Sequence, residues 1–160
     1  LSPKSGLIAE NIVGFINDFI ASMNRVIAEV WAHPLELIPL SFEDGEEVDL
    51  DYKFPFVVGE ARSRRDDLCQ GSLGMEYIFD IAFKLTAMQS LGLKGYPIFL
   101  DEFGGNLDDA HKEASVHMID TIMSSYDISQ MFMVSHNVSS YGAFVNSETF
   151  VLCKKNLKVQ

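Results

Sequence analysis

Two short apolar runs constrain the fold most: Tyr96-Pro97-Ile98-Phe99-Leu100 and Met131-Phe132-Met133-Val134. Each is too short for a helix and lacks the polar alternation of a half-exposed strand, so each reads as a buried strand. A helical pattern from about Asp109 to Ser125 lies between them, and strands joined through a helix pair in parallel. This predicts an α/β sheet. Ligands of such sheets bind beyond the carboxyl ends of the strands. Here those ends carry Asp101-Glu102 on one strand and Ser135-His136 on the other.

The rest of the chain is organised around that unit. Ile8, Ile12, Phe15, Ile16, Phe19, Met23, Val26, Ile27 and Val30 recur at three- and four-residue spacing, which predicts one long amphipathic helix. Ser2-Pro3 is its start signal and His33-Pro34 its stop. At about 25 residues and 1.5 Å each it is roughly 38 Å long, a length that suits an element projecting from a small domain. A strand is expected over Leu35 to Phe42, followed by the acidic turn Glu43-Asp44-Gly45-Glu46-Glu47. From Val48 to Val58, apolar residues alternate with Asp49, Asp51 and Lys53, the pattern of a half-buried strand. Residues 59 to 71, with Arg62, Arg64 and Arg65, read as a loop whose cations are solvated. A helix is predicted from Met75 to about Leu91, ended by Gly92 and Gly95. A last strand is expected over Thr149 to Cys153, before a basic tail with Lys154, Lys155 and Lys158. The chain therefore divides into a helix over residues 1–33 and an α/β lobe over 34–160.

Composition excludes several classes. With 48% hydrophobic residues, 12 Phe, 5 Tyr and 1 Trp, the chain has the material for a packed core. Twelve Lys and Arg stand against 23 Asp and Glu, giving a net charge of −11. That balance argues against a surface that coats nucleic acid throughout, while leaving room for a local basic patch. No run approaches the roughly twenty apolar residues of a membrane-spanning helix, so a soluble protein is expected. Cys69 and Cys153 form no C-x-x-C pair and read as buried free thiols. His111 and His117, six apart on a predicted helix, lack the spacing of a shared metal site. The seven methionines fall at apolar positions and read as core filler. The start at Leu1, without an initiator Met or a signal peptide, suggests a piece of something longer.

An apolar strand ending in two acids has a use in nucleotide hydrolysis. Asp101 can hold Mg²⁺ as a hard oxygen ligand, and Glu102 can deprotonate the water that attacks a γ-phosphate. Taken alone, the pair reads more simply as solvated acids at a strand end. The neighbours change that balance. Asp101-Glu102 runs on into Phe103-Gly104-Gly105-Asn106-Leu107-Asp108-Asp109, a glycine turn with a further acidic pair. Upstream, Gly71-Ser72-Leu73-Gly74 opens a helix, with Ser72 as its N-cap and Gly74 where a phosphate would approach the backbone. The start of that helix offers unpaired N–H groups and a positive dipole end.

In order, Ser72-x-Gly74, Ile98-Phe99-Leu100-Asp101-Glu102, Asn106-Leu107-Asp108 and Val134-Ser135-His136 resemble the signature motif, Walker B, D-loop and switch histidine of an ABC-type ATPase head of the SMC-like class. Asp101 follows Ser72 by 29 residues and His136 follows Asp101 by 35, spacings that fit the family. Four motifs in this order carry more weight than any one of them. The resemblance covers about residues 68 to 140. It is greatest to the coiled-coil ATPase subunit of nuclease–ATPase break-repair complexes, the SbcC type and its tailed-phage recombination relatives. SMC and RecN-like proteins are competitors.

The resemblance implies an α/β C-terminal lobe with a β-hairpin region before the signature helix and a coil-proximal helix at the N-terminus. The N-terminal lobe would supply the phosphate loop, since no G-x-x-x-x-G-K-[ST] occurs in this sequence. ATP and Mg²⁺ are the implied cofactors. Asp101 would serve the Mg²⁺, Glu102 would activate water and His136 would contact the γ-phosphate or that water. Ser72 and Gly74 would close over ATP held by a second head, and Asp108 would lie at the seam between heads. Leu73 stands where the family usually has a small residue, and Met75 where a polar one is usual. Implied partners are a second head, a nuclease subunit and DNA, inside a bacterial or phage-infected cell or otherwise intracellular. Two alternatives stay open: a head that dimerises without turning over ATP, and another P-loop ATPase such as a helicase or transporter subunit.

Overall fold

The computed structural model describes residues 4–41, 47–49, 51–93, 95–101, 119–126, 128–135 and 147–151. Helix α1, Gly6–Val30, runs for 25 residues, as its periodicity predicts. Its inward residues Ala9, Val13, Ile16, Ile20, Met23, Ile27 and Val30 are spaced alternately four and three apart, the 3.5-residue repeat of a coiled-coil seam. From Ile20 onward this seam enters the main core, where α1 packs against α2. Ala9 and Val13 instead pack with Val48 and Leu40 in a separate small cluster.

Three short strands follow: β1 (Leu35–Leu37), β2 (Phe56–Val58) and β3 (Ser63–Arg65). They form an antiparallel sheet in the order β1-β2-β3, with Leu37 opposite Phe56 and Phe56 opposite Arg65. The predicted strand over 48–58 is corrected to its last three residues. Phe54 has φ 51°, a left-handed conformation that breaks an extended strand, and Pro55 follows it. The alternation still delivers Tyr52, Phe54 and Phe56 to the core; the rings of Tyr52 and Phe54 lie 4.9 Å apart, edge to face. The strand predicted over 35–42 likewise shrinks to β1, and the turn residues 43–46 lie outside the described residues.

The segment read as an arginine loop contains β3. Gly59 (φ 72°) and Arg62 (φ 49°) make the hairpin turn possible, and the Arg62 N–H closes it on the Gly59 carbonyl at 2.9 Å. β3 is a fully exposed edge strand, so no hydrophobic pattern announces it. The cations of the turn and strand are exposed and partly paired: Arg62 with Glu36 and Arg64 with Asp66, each at 2.8 Å.

A 3-10 turn at Leu68–Gln70 leads into α2, Leu73–Ser90. The helix stops in a Schellman motif: Leu93 N–H bonds Met88 O, Gly92 N–H bonds Gln89 O, and Gly92 takes φ 66°. Strands β4 (Ile98–Leu100) and β5 (Met131–Met133) then pair in parallel, Ile98 opposite Met131 and Leu100 opposite Met133. The α/β expectation holds for this pair. Residues 119–125 are helical and bury Ile119 and Ile122; the predicted start of that helix lies outside the described residues.

One core unites Ile20 and Ile27 of α1, Leu37, Phe56, Ile78 and Leu85 of α2, Ile98, Leu100 and Ile122. Six of the seven methionines pack in or against it, and Met118 lies outside the described residues. The last predicted strand is corrected in its described part. Thr149–Val151 are irregular and exposed, with no strand beside them among the described residues.

Candidate functional site

The parallel pair positions the first half of the site. Val134 N–H bonds Leu100 O at 2.9 Å, so the ladder continues one step past β5 and the two chains leave the sheet together. Asp101 and Ser135 therefore emerge at one edge, at the carboxyl ends of adjacent parallel strands. Asp101 is exposed. Glu102, Asp108 and His136 lie outside the described residues; Glu102 follows Asp101 directly in sequence, and His136 follows Ser135.

The start of α2 forms the second half. Ser72 is the N-cap, and its Oγ accepts from Met75 N–H at 3.3 Å. The first intrahelical bond, Glu76 N–H to Ser72 O, is 2.9 Å. The Leu73 and Gly74 N–H groups thus sit in the first turn, ahead of the helical ladder. Ser72 is exposed, Gly74 half-buried, and Leu73 is 62% exposed at the first helical position. Glu76 adds a negative charge to this turn, favourable to the helix dipole though opposed to an incoming anion.

Gly71 shows why the turn before Ser72 is tight. A Cβ there would lie 3.1 Å from Leu68 O and 3.6 Å from Phe56 Cζ. The Asp67 carboxylate accepts from Cys69 N–H at 2.9 Å, which lowers its pKa below the usual carboxylate range. Asp67 in turn raises the Cys69 thiol, through a hydrogen bond first and charge second. Cys69 is exposed, correcting the expectation of a buried thiol, because the 3-10 turn buries none of its residues. Its acidic neighbours keep it protonated and weakly nucleophilic.

Among the described residues no group of three or more His, Cys, Asp or Glu side chains could hold a metal ion. An exposed Asp101 at a strand end does fit Mg²⁺, which takes one or two carboxylates and completes its shell with phosphate oxygens and water. The α2 start fits a phosphate group through its N–H groups. Bound ATP would supply the phosphoryl bond to be broken; these residues would position its metal and its phosphates.

The expected residues that are described thus occupy two loci: Asp101 the shared end of β4 and β5, and Ser72 and Gly74 the start of α2. Two features escaped sequence reasoning: the β3 edge strand, and Asn17 and Asn24 of α1, whose amides bond the backbone of residues 37–40. Polar residues on an amphipathic helix read as solvent-facing, so nothing in the pattern marks them.

No family model matches the chain, and no curated protein sequence is similar to it. Solved structures are. One, from work on ATP-driven dimerization and DNA-stimulated activation of SMC ATPases, is 13% identical, with a TM-score of 0.55 over 82% of this chain and 74% of that one. An SMC head domain from Thermotoga maritima is 18% identical, with a TM-score of 0.48 over 82% of this chain and 42% of that one. Among the described residues no helix is long and apolar enough to cross a membrane. The chain thus shares its fold with a structure described in work on SMC ATPases.

Proposed function

We propose that the chain is the C-terminal lobe of an SMC-like ABC-type ATPase head, acting in DNA repair or recombination inside the cell. The observation that carries this reading is the parallel register of β4 and β5. It sends Asp101 and Ser135 out at one edge, and Glu102 and His136 are the next residues in sequence. Asp101 would hold Mg²⁺, Glu102 would activate water and His136 would read the γ-phosphate. Ser72 and Gly74, at an exposed helix start, would close over ATP bound by a second head, with Asp108 at the seam.

Two surfaces support the incomplete half of the reading. Parallel sheets are covered on both faces, yet the outer face of β4–β5 presents Phe99 at 65% exposure stacked on Phe132, with Val134 beside them. An N-terminal lobe bearing the phosphate loop would cover it. On α1, Ile8, Ile12, Phe15 and Phe19 form a second stripe at heptad spacing, and Phe15 is 65% exposed. That stripe suits a partner helix of a coil. ATP would join two heads and hydrolysis would release them, moving the coil and gating DNA for a nuclease subunit. SbcC-type proteins and their phage relatives are the class favoured.

The test is ATP hydrolysis by this lobe completed with its N-terminal lobe. Glu102→Gln is expected to lower turnover by about 10²–10⁴-fold, the contribution of a general base, while ATP-dependent dimerisation persists. A wild-type head with no turnover above that variant, with DNA and partner present, overturns the enzyme reading and leaves the dimerising head.

A further inference from the structure

Among the described residues strand β1 lies at an edge of the antiparallel sheet, with no strand on one side of its backbone. Side chains of α1 take that place. Asn24 Oδ1 accepts from Leu37 N–H at 2.8 Å, and Asn24 Nδ2 donates to Leu37 O at 2.9 Å. Two helical turns earlier, Asn17 makes the same pair with Leu40, at 2.8 and 3.1 Å. An amide matches a peptide group in donor and acceptor, so each Asn closes a two-bond ring with one residue, as a strand partner would. Between them Ile38 turns the other way, its N–H bonding Pro55 O at 2.7 Å and its carbonyl accepting from the Tyr52 hydroxyl.

The linkage continues. Leu37 pairs with Phe56, a fully buried residue whose ring meets Phe79 of α2 edge to face at 5.2 Å. The far end of that ring lies under Gly71, against the turn that carries Ser72. Leu68 N–H, in the same turn, bonds Lys53 O at 3.3 Å. Every step is a hydrogen bond or a packed contact between regular elements, a contiguous physical route.

We propose that Asn17 and Asn24 are positioning residues that bind α1 and the β1–β2 pair into one lever whose short arm supports the Gly71–Ser72 turn. Displacement of α1 reaches that turn through the 37–40 backbone and the Phe56 ring. On the nucleotide reading above, the position of α1 would set how Ser72 meets ATP of the opposite head; the lever itself requires no nucleotide.

Amide hydrogen exchange on the full chain tests it. The double variant Asn17→Asp/Asn24→Asp keeps size and acceptor but removes the donors to Leu37 O and Leu40 O. Exchange at Leu37 and Leu40 N–H is expected to rise about tenfold or more, accompanied by Gly71 and Met75 N–H. Ile98 and Val134 N–H, which bond across the β4–β5 ladder, should keep wild-type rates. Acceleration confined to Leu37 and Leu40 overturns the lever. Equal acceleration at all six amides overturns it too, since the two Asn would then supply general stability alone. If the double variant does not fold, Asn24→Asp is read by the same six amides, and its failure to fold counts with the second outcome. ATPase activity plays no part, so failure here and failure of the nucleotide reading are separate results.

Discussion

The two sheets of this chain are finished to different degrees. The antiparallel sheet has its inner face filled by Leu37 and Phe56, one edge occupied by amides of α1 and the other made of exposed Ser63, Arg64 and Arg65. The parallel pair buries Ile98 and Leu100 on one face and leaves Phe99 and Phe132 open on the other. The difference separates what this chain stabilises by itself from what it offers to something else. Apolar groups and the β1 edge of the first are satisfied internally, whereas the second keeps apolar area that only a further layer would remove from water.

The contrast breaks most readily at its two central phenylalanines. Phe56→Ala, at a fully buried site, is expected to cost about 3–5 kcal/mol in denaturant unfolding, the usual range for deleting a core aromatic. Phe99→Ala should cost less than about 1 kcal/mol in this chain, yet weaken association with an added N-terminal lobe. Equal losses at the two positions would mean that the parallel pair is as complete as the antiparallel sheet.

A smaller effect is expected at the junction of the two regions. Ser72→Ala removes the α2 cap at a cost of about 1 kcal/mol, and Met75 N–H, which Ser72 protects, should exchange faster. Ser72→Asp retains a capping oxygen while adding a charge hostile to phosphate. It should therefore keep stability and lose ATP-dependent dimerisation; a variant that loses both would make Ser72 a structural residue only.

Alkaline titration sharpens the comparison through two partly buried tyrosines. Burial pushes the Tyr52 hydroxyl up to about 12, and burial with Glu29 does the same for Tyr126, which bonds Glu29 at 3.1 Å. An unfolded tyrosine ionises near its ordinary value of about 10. The contribution of these groups is therefore fully present below pH 10 and lost as pH rises toward 12. Tyr52→Phe should flatten that decline in a pH series of unfolding midpoints; an unchanged slope would remove Tyr52 from the antiparallel unit's alkaline limit.

The parallel pair was legible in the sequence because two unbroken apolar runs flanking a helical pattern leave few other arrangements. The Ser72 cap was legible from its place before a periodic segment. The 48–58 ladder was over-read, since alternation reports which side chains face inward and not which backbone groups pair. Tyr52 and Phe54 reach the core from a backbone that Phe54 itself bends out of the extended region. β3 and the two asparagines were invisible for the opposite reason. Their contribution is polar and edge-bound, and hydrophobic periodicity is blind to it. Of the residues proposed for a nucleotide site, Ser72, Gly74 and Asp101 fall within the described fold, while Glu102, Asp108 and His136 rest on sequence order.

The asparagine amides also restrict how the protein can assemble. A foreign strand adding beside β1 would first have to displace four hydrogen bonds already made by α1. Strand addition, the commonest low-specificity route by which sheets recruit or aggregate, is thereby closed at that side. The opposite side, β3, bears two adjacent arginines that discourage it. Association through the antiparallel sheet is thus directed toward side-chain surfaces, where complementarity of shape selects the partner.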